Sequence, residues 1–413
     1  MAGTMLPRSA DVAIIGAGIW GQSIAWHIAR RARLKIVVVD RGQPGGQATA
    51  KAAALVVRTR LKPCLIPLID RTCEAIGELG EVIGSPPTFH ADGTVQIAAS
   101  PPSEAELEAL VAVAERHGRR VQRLSPRDAA SLVPWLAPEP ITAAALFADD
   151  GSVDAWQLME SYGAAARRCG AAILGGIAVG AIRVAGGRVQ GIDTAAGPLD
   201  APIVIVAAGA WSNCLTEPLG FGAPSAPVRS QYWITDAAPD LFPRRHPATV
   251  IPDARAYTRA EVGALLFGLR EAEGVSVDAR TLPDDTAGYA FAGDPEGWRS
   301  LEAGFVPLAA FLPVLRHIGI RRYVTGFSTY TPDSLLALGK APSIDGLLIA
   351  TGCCGAGIAG SGGVGALIAA LALGEPPPFD GSVFRIDRLG AVDPFDAAFR
   401  RRCAEARAGK TSG

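Results

Sequence analysis

The chain has 413 residues, of which 49% are apolar and 19% are charged, so it is too long and too hydrophobic to be a disulfide-stabilised miniprotein or a disordered chain. Its 39 basic and 40 acidic residues leave a formal charge of -1, which provides no field for binding nucleic acid or an anionic membrane. The 48 glycines follow no collagen-like period. A turn-rich α/β protein with two or three domains, or one large fold with a subdomain, fits these limits.

The first predicted elements are a strand at residues 11–15, a helix that continues to about residue 33, and a second strand at residues 35–39. Gly16, Gly18 and Gly21 lie between the first strand and the helix, and Asp40 follows the second strand. This order is typical of a βαβ dinucleotide-binding unit.

Each residue type in this unit has a physical role. Gly16 permits the tight turn, Gly18 lets the backbone approach a pyrophosphate, and Gly21 lets helix and strand pack closely. The amino end of the helix adds free N–H groups and a partial positive charge. The Asp40 carboxylate is placed to accept hydrogen bonds from ribose hydroxyls and would repel a 2'-phosphate.

The next segment, residues 45–57, is rich in glycine and alanine. Small residues allow a backbone to lie close to a ligand, although the start of an alanine-rich helix is an equal interpretation. Three helix starts follow at a Ser103 capping box, at Ser125 and at Asp154. We expect these helices to be scaffolding.

The second half of the chain contains further strands and a glycine-rich turn. Strands are predicted within residues 170–192, with a turn at 185–187, and a buried strand from residue 203 ends at Gly209. Residues 221–322 resemble a separate antiparallel lobe. A strand at 346–352 leads into glycine-rich residues 353–365 and an apolar helix, which we interpret as a second backbone contact to the same cofactor.

With these motifs in place, the chain resembles the FAD-dependent D-amino acid oxidase superfamily, in the branch of glycine oxidase and monomeric sarcosine oxidase. The resemblance extends from Asp11 to about Gly374 and also rests on Thr331-Pro332-Asp333, which precedes the second glycine-rich turn. It implies an α/β fold, with a Rossmann-like FAD-binding domain and a discontinuous antiparallel-sheet substrate domain. The implied FAD-binding domain comprises residues 1–85, 150–220 and 324–413, and the implied substrate domain comprises residues 86–149 and 221–323.

The resemblance also implies a set of cofactor contacts, in which Val179 binds the adenine through its backbone and the turn at 355–359 faces the flavin pyrimidine. Sarcosine oxidase relatives attach FAD to a cysteine where this chain has Gly326, so we expect noncovalent FAD. The residues predicted to contact FAD are Ile15, Gly16, Gly18, Ile19, Trp20, Gly21, Asp40, Arg41, Gly46, Gln47, Thr49, Ala54, Val179, Ala208, Gly209, Trp211, Gly355, Gly357, Ile358 and Ala359.

The implied reaction is hydride transfer from a C–H bond next to nitrogen to flavin N5, followed by hydrolysis of the imine. The usual cations of the family are absent. Ala359 stands in place of a carboxylate-binding lysine, Ser328 in place of an arginine and, in a looser alignment, Leu266 in place of the lysine associated with oxygen activation. A different substrate or electron acceptor is therefore favoured over simple glycine or sarcosine oxidation.

Four other residues are candidates for substrate contacts. Arg58 and Arg259, the latter next to Tyr257 in the substrate lobe, could bind a substrate carboxylate, and Tyr330 could orient an amine or cap the flavin face. Each has an ordinary alternative, which is a surface position for the arginines and core packing for Tyr330. We expect Cys353 and Cys354 to be small filling residues near the flavin, because adjacent cysteines pair only in a strained ring.

The sequence therefore predicts an enzyme that uses FAD to oxidise a small amine or amino acid. A 2-hydroxy acid dehydrogenase and an FAD-binding subunit of a larger dehydrogenase complex remain alternatives, and homo-oligomerisation stays open. The seven cysteines lack disulfide or zinc spacing, and the first apolar stretch is interrupted by Gln22, Ser23 and His27. We expect reduced thiols in the cytoplasm, no metal site, no membrane span and no nucleic acid.

Overall fold

A computed structural model of the protein describes residues 5–411. Its strands are β1 (Val12–Ile15), β2 (Ile36–Val39), β3 (Leu55–Val56), β4 (Phe89–His90), β5 (Thr94–Ala98), β6 (Val121–Leu124), β7 (Ala143–Phe147), β8 (Gly151–Val153), β9 (Ala172–Leu174), β10 (Val179–Ala185), β11 (Arg188–Thr194), β12 (Gly197–Asp200), β13 (Ile203–Val206), β14 (Ala226–Thr235), β15 (Ala248–Ile251), β16 (Ala256–Glu261), β17 (Ala264–Leu269), β18 (Ile320–Tyr330), β19 (Ala337–Lys340) and β20 (Leu347–Thr351). Its α-helices are α1 (Ile19–Ala29), α2 (Ile66–Ile83), α3 (Pro101–Arg116), α4 (Pro126–Leu132), α5 (Ala155–Arg168), α6 (Ser212–Thr216), α7 (Trp298–Phe311), α8 (Ser361–Leu373) and α9 (Ala397–Ala408).

A six-stranded sheet forms the centre of the cofactor half, in the order β19-β20-β13-β1-β2-β9. Its strands are parallel except for the β19–β20 pair, and Val12 of β1 lies between Ile203 and Ile36. The central strands are runs of Val, Ile and Ala that are buried on both faces, as expected for a parallel sheet covered on both sides. Helices α1, α2, α5 and α8 pack together over one face, and the antiparallel β10-β11-β12 sheet covers the other.

An eight-stranded sheet forms the other half, in the order β18-β14-β17-β16-β15-β5-β7-β6. Its neighbouring strands are antiparallel except for the β15–β5 pair. Strand β18 runs across the sequence boundary placed at residues 323–324 and pairs along β14, with Ala226 opposite Tyr330. The long β14–β18 pair therefore brings the end of β18 beside the cofactor half.

Helix α9 packs against β14 and β18. It buries Phe399 and Cys403 against Ala226 and Tyr330, so the residues that follow the helix are brought close to the end of β18. Sequence reasoning assigned this region to the cofactor half but did not predict a helix here.

Local signals predicted several of these elements, and the structure corrects two of the predictions. Helix α1 ends at Ala29 rather than near residue 33. Helix α3 is capped by Ser100, which forms a capping box with Ser103, so the proposal that Ser103 itself is the cap was wrong. Pro101 and Pro102 occupy the first turn, where the missing N–H groups would have no partner within the helix. The helix therefore begins before Ser103. The caps at Ser125 and Asp154 are confirmed.

None of the helices within residues 5–411 combines the length and the apolar character needed to cross a lipid bilayer.

Candidate active site

A cavity with a volume of about 580 Å³ lies between the two large sheets. Ile15, Val39 and Thr351 line it from the carboxyl ends of parallel strands in the six-stranded sheet. Tyr232 and Tyr257 line it from the eight-stranded sheet. Ligands of open parallel sheets bind at this edge, so the topology marks the cavity as the candidate active site.

The glycines at the start of α1 meet the geometric requirements of a phosphate-binding turn. Gly16 has φ +102°, and a Cβ there would stand 2.4 Å from the Ala207 carbonyl oxygen. A Cβ at Gly21 would stand 1.8 Å from the Gly16 carbonyl oxygen. Gly18 occupies the N-cap position and offers no capping side chain, and the Ile19 N–H at the start of α1 donates to Thr49 Oγ1 at 3.1 Å. The backbone amides of this turn can therefore approach a dinucleotide pyrophosphate.

The Asp40 carboxylate is held at the cavity wall by two backbone amides. Its Oδ2 accepts from Ala17 N at 2.8 Å, and its Oδ1 accepts from Gly42 N at 3.0 Å. Each carboxylate oxygen has a further lone pair available. Asp40 is therefore placed as expected for a ribose contact. The wall as a whole fits FAD, because it combines backbone N–H donors, the Asp40 carboxylate as an acceptor, and glycines that let the backbone approach a ligand closely.

The second glycine-rich turn also lines the cavity. Gly355 has φ +74°, and residues Gly355, Gly357, Ile358 and Ala359 line the wall just before α8. Gly360, at the N-cap position of α8, offers no capping side chain, and the Gly362 N–H in the first turn donates to Thr72 Oγ1 at 2.8 Å. The Trp20 Nε1–H donates to the Gly357 carbonyl oxygen at 2.8 Å, which connects the two turns directly.

The cavity gathers nineteen of the twenty predicted cofactor contacts. The exception is Gly21, which packs behind the wall against Gly16. The residues that line the cavity are Ile15, Gly16, Gly18, Ile19, Trp20, Asp40, Arg41, Gly46, Gln47, Thr49, Ala54, Val179, Ala208, Gly209, Trp211, Gly355, Gly357, Ile358 and Ala359.

Tyr257 and Tyr330 also line the cavity. The Tyr257 ring packs over Gly268, where a Cβ would stand only 2.2 Å from the ring. Burial raises the pKa of both hydroxyls, so each is a neutral hydroxyl at physiological pH. They can donate hydrogen bonds to a ligand but cannot serve as ready proton acceptors.

The two arginines predicted to bind a carboxylate lie elsewhere, which corrects their expected placement. Arg58 pairs with Asp70 at 3.0 Å. Arg259 donates to the Ala53 carbonyl oxygen at 2.6 Å and pairs with Glu261 at 2.7 Å. Neither lines the cavity, because acidic residues brought near by the fold bind their guanidinium groups.

Other cations, which sequence reasoning did not select, line the cavity: Lys51, Arg270, Arg280, Arg407 and Lys410. Arg407 pairs with Glu271, which also pairs with Arg229 at 2.7 Å. The Lys410 Nζ donates to the Cys354 carbonyl oxygen at 3.1 Å. The rarity of lysine was a signal available in the sequence, because the chain has only five lysines. Two of them, Lys51 and Lys410, line this cavity.

Lys51 lies on the side of the cavity nearest Gly326. Its Nζ donates to the Thr286 carbonyl oxygen at 2.6 Å, and its chain covers Gly326. Leu266 is fully buried in an apolar cluster with Tyr232 and Ile234. Lys51 therefore lines the cavity, whereas Leu266 does not.

Asp150 and Arg60 are both buried, and their charges act on one another. The Asp150 Oδ1 accepts from Arg58 N at 2.7 Å, while its Oδ2 has no hydrogen-bond partner among residues 5–411. Burial raises the pKa of Asp150 to about 7. Burial also lowers the pKa of Arg60 to about 10, with the Asp150 charge opposing that shift.

The adjacent cysteines near the turn remain separate thiols. Cys353 lines the cavity, whereas Cys354 is buried with its Sγ 3.4 Å from Thr331 Oγ1. Burial raises the pKa of Cys354 to about 11. Across residues 5–411, no group of His, Cys, Asp and Glu side chains is arranged to hold a metal ion.

Comparison with known proteins identifies the family to which the chain belongs. Residues 11–371 match the family of FAD dependent oxidoreductases. The chain is 28% identical to mouse mitochondrial dimethylglycine dehydrogenase, over 90% of this chain and 43% of that protein. It is 26% identical to 4-methylaminobutanoate oxidase (formaldehyde-forming) of Paenarthrobacter nicotinovorans, over 93% of this chain and 46% of that protein. The chain thus spans less than half the length of these curated relatives.

A solved structure of similar size also matches. Glycine oxidase from Geobacillus kaustophilus superposes with a TM-score of 0.77 at 25% identity, covering 92% of this chain and 99% of that one.

Proposed function

The chain belongs to the family of FAD-dependent oxidoreductases, and on that premise we propose that it oxidises a C–N bond of an amine or amino acid. The observation that carries the proposal is the continuous cavity. One part of its wall fits FAD, and the remainder is lined by Tyr257, Tyr330 and Arg270. The names of the similar proteins, which include an amine dehydrogenase and two oxidases of amino compounds, support the same chemistry.

FAD, when bound, supplies the hydride acceptor, and a substrate C–H bond next to nitrogen supplies the hydride. The residues of this chain bind FAD and the substrate and orient them relative to each other. The turn at Gly16 and Gly18 and the Asp40 carboxylate would hold the pyrophosphate and ribose, and the turn at Gly355 would hold the flavin end.

The polar residues of the substrate part have positioning roles in this proposal. The neutral hydroxyls of Tyr257 and Tyr330 donate hydrogen bonds, and the cations of Arg270 and Lys410 attract negative charge. An uncharged amine is the form that gives up a hydride, since an ammonium group has no lone pair to stabilise the developing imine. Water then hydrolyses the imine to a carbonyl product and an amine or ammonia.

We also infer that FAD is noncovalent and that the two halves of the fold are the cofactor and substrate domains. Gly326 lines the cavity where sarcosine oxidase relatives carry the attachment cysteine. The loops that follow strands of the six-stranded sheet supply most of the proposed cofactor wall, and strands β14, β16 and β18 of the eight-stranded sheet contribute to the substrate wall. Acid precipitation should release all of the flavin into the supernatant, and protein-bound flavin in the pellet would contradict the proposal.

A dehydrogenase that passes electrons to an acceptor other than oxygen is the second candidate, including a subunit of a larger complex. Leu266, buried with Tyr232 and Ile234, favours it because no cation occupies that position. A 2-hydroxy acid remains the alternative substrate, since the same cavity would accept a C–O bond. All seven cysteines are free thiols, which supports a reducing compartment such as the cytoplasm.

Anaerobic flavin reduction tests the function directly. The purified holoprotein should lose its visible flavin absorbance when mixed with one member of a panel of amines and amino acids, and it should not respond to 2-hydroxy acids. Reduction by hydroxy acids alone would reject C–N oxidation. Slow reoxidation by oxygen together with rapid reoxidation by a dye would identify a dehydrogenase, whereas rapid peroxide formation would identify an oxidase.

A further inference from the structure

We propose that residues 279–286 form a strap that retains FAD in the cavity, and that Thr286 is the residue that fastens this strap. The strap lies in the connection between β17, a strand of the eight-stranded sheet, and α7. The inference rests on the proposed noncovalent binding of FAD and goes beyond the proposed reaction, because it concerns how the cofactor is kept and holds for any substrate.

The strap runs from the substrate half to the cofactor half. Before it, the Val277 N–H donates to the Pro227 carbonyl oxygen of β14 at 3.0 Å. In its middle, Leu282 is buried in an apolar cluster with Trp211 and Phe327. The strap residues that line the cavity, together with the wall that fits FAD, are Ala279, Arg280, Leu282, Asp284 and Thr286.

Thr286 joins the end of the strap to the glycine-rich segment at residues 45–57. It is 2% exposed. Its Oγ1–H donates to the Gln47 Oε1, and its N–H donates to the same oxygen at 3.3 Å. The Lys51 Nζ donates to the Thr286 carbonyl oxygen at 2.6 Å and lies 3.3 Å from the Thr286 Oγ1. All three polar atoms of Thr286 are therefore bonded to Gln47 or Lys51, and both of these residues line the cavity.

Two outer contacts hold the strap less tightly. Arg41 pairs with Asp284 at 2.6 Å, and the Gln47 Nε2 donates to the Asp285 Oδ1 at 3.1 Å. The Asp284 side chain is 93% exposed and Asp285 is also exposed, so water competes for both contacts. The buried contacts of Thr286 therefore dominate the attachment.

Lys51 connects the strap to the question of covalent attachment. Its alkyl chain covers Gly326, where a Cβ would stand 2.8 Å from the Lys51 Cδ. Gly326 stands where sarcosine oxidase relatives carry the attachment cysteine. At the position where those relatives tether the flavin, this chain therefore has a residue that fastens the strap.

A fastened strap slows the exit of FAD, and an unfastened strap opens a path for exit and entry alike. Breaking the Thr286 contacts should therefore speed both dissociation and association of FAD. Loss of a direct contact to FAD would instead speed dissociation alone. The two rates together thus separate a strap from an ordinary cofactor contact.

The test compares Thr286→Val with Thr281→Val. Valine keeps the shape of threonine and removes its hydroxyl. Thr281 is a matched control within the same strap, because its Oγ1–H donates to the Asp278 carbonyl oxygen at 2.8 Å and the residue lies outside the cavity lining. Lys51→Met removes the second fastening group. Circular dichroism and the melting temperature of each apoprotein ensure that only folded protein is compared.

Dissociation is followed by diluting the holoprotein, desalting it at intervals and measuring the flavin that stays bound. Association is followed by mixing apoprotein with FAD and recording flavin fluorescence. We expect Thr286→Val and Lys51→Met to lose FAD roughly 5- to 30-fold faster than wild type, as for the loss of one or two buried hydrogen bonds. Thr286→Val should also bind FAD faster than wild type, and Thr281→Val should match wild type in both rates.

Hydrogen exchange provides a readout that a merely structural role would not change. The Thr286 N–H donates to Gln47, so it should exchange more slowly in the wild-type holoprotein than in the apoprotein if FAD and the closed strap stabilise each other. In Thr286→Val this protection by FAD should be reduced across residues 279–286, whereas Thr281→Val should retain it.

Several outcomes would overturn the proposal. These are release of FAD from Thr286→Val at the wild-type rate, equally fast release from Thr281→Val, and exchange of the strap that FAD leaves unchanged. Faster dissociation without faster association would make Thr286 and Lys51 direct FAD contacts and reject the strap. Flavin that stays with the denatured protein would also reject it, because a covalent tether needs no strap. None of these measurements requires turnover, so failure of the proposed reaction would leave the strap standing.

Discussion

The Trp20 indole N–H donates to the Gly357 carbonyl oxygen at 2.8 Å, and this bond joins the first glycine-rich turn to the second. The two residues lie near opposite ends of the chain. Their contact holds the proposed pyrophosphate and flavin contacts in a fixed relation, although each turn is built by its own strand and helix.

Trp20→Phe should therefore weaken FAD binding while retaining most of the apolar contact. Loss of one buried hydrogen bond costs about 1 kcal/mol, or about a 5-fold higher Kd for FAD. The Kd can be measured by titrating the apoprotein with FAD and following flavin fluorescence. An unchanged Kd would mean that the two turns keep their relation without this bond.

Gly21→Ala should be severe, because the new methyl group would meet the Gly16 carbonyl oxygen at 1.8 Å. Relief of that clash requires α1 to move away from β1, at a cost of about 1 to 3 kcal/mol, and the phosphate-binding turn moves with it. We expect a lower melting temperature and loss of bound FAD. Gly42→Ala is the matched control, since no atom lies within 4 Å of its Cβ position.

Glu271→Gln should destabilise the attachment of α9. The carboxylate pairs with Arg229 and Arg407, and all three side chains are at most 10% exposed. Removing a buried counterion leaves uncompensated charge, which typically costs about 3 to 5 kcal/mol. Thermal unfolding should show the loss, whereas Glu108→Gln in an exposed pair with Arg123 should change the melting temperature little.

Asp150 should make the stability of the folded protein depend on pH. Burial raises its pKa to about 7, against about 4 in the unfolded chain, so the folded state holds this proton more tightly. The stabilising contribution is complete below about pH 4 and is lost as pH rises to about 7. The melting temperature of Asp150→Asn should therefore rise relative to wild type across that interval and stay level above it. A difference that is constant with pH would contradict the shift.

The seven thiols should differ strongly in reactivity. Cys169 is exposed, whereas Cys354 and Cys403 are buried, with their pKa values raised by burial to about 11 and about 12. An alkylating reagent at neutral pH should modify Cys169 first and leave the two buried thiols intact until unfolding. Peptide mass spectrometry over time provides the order. Early modification of Cys403 would show that α9 opens readily.

Local sequence patterns were sufficient for the βαβ unit at the start of the cofactor half. Gly16, Gly18, Gly21 and Asp40 have roles set by turn geometry and by the order strand, helix, strand, so spacing alone identified them. The same holds for the caps at Ser125 and Asp154, whose side chains bind amides only three residues away.

The charged residues of the substrate part were decided only by the tertiary structure. Arg58 and Arg259 looked suitable in sequence, but Asp70 and Glu261 bind them outside the cavity. Lys410 had no motif around it, yet α9 and the Glu271 pair bring its amine beside Gly355. A glycine acts through its own backbone, and so its role is visible locally. The role of a charge depends on which partners the fold brings within a few ångströms, and those partners lie far away along the chain.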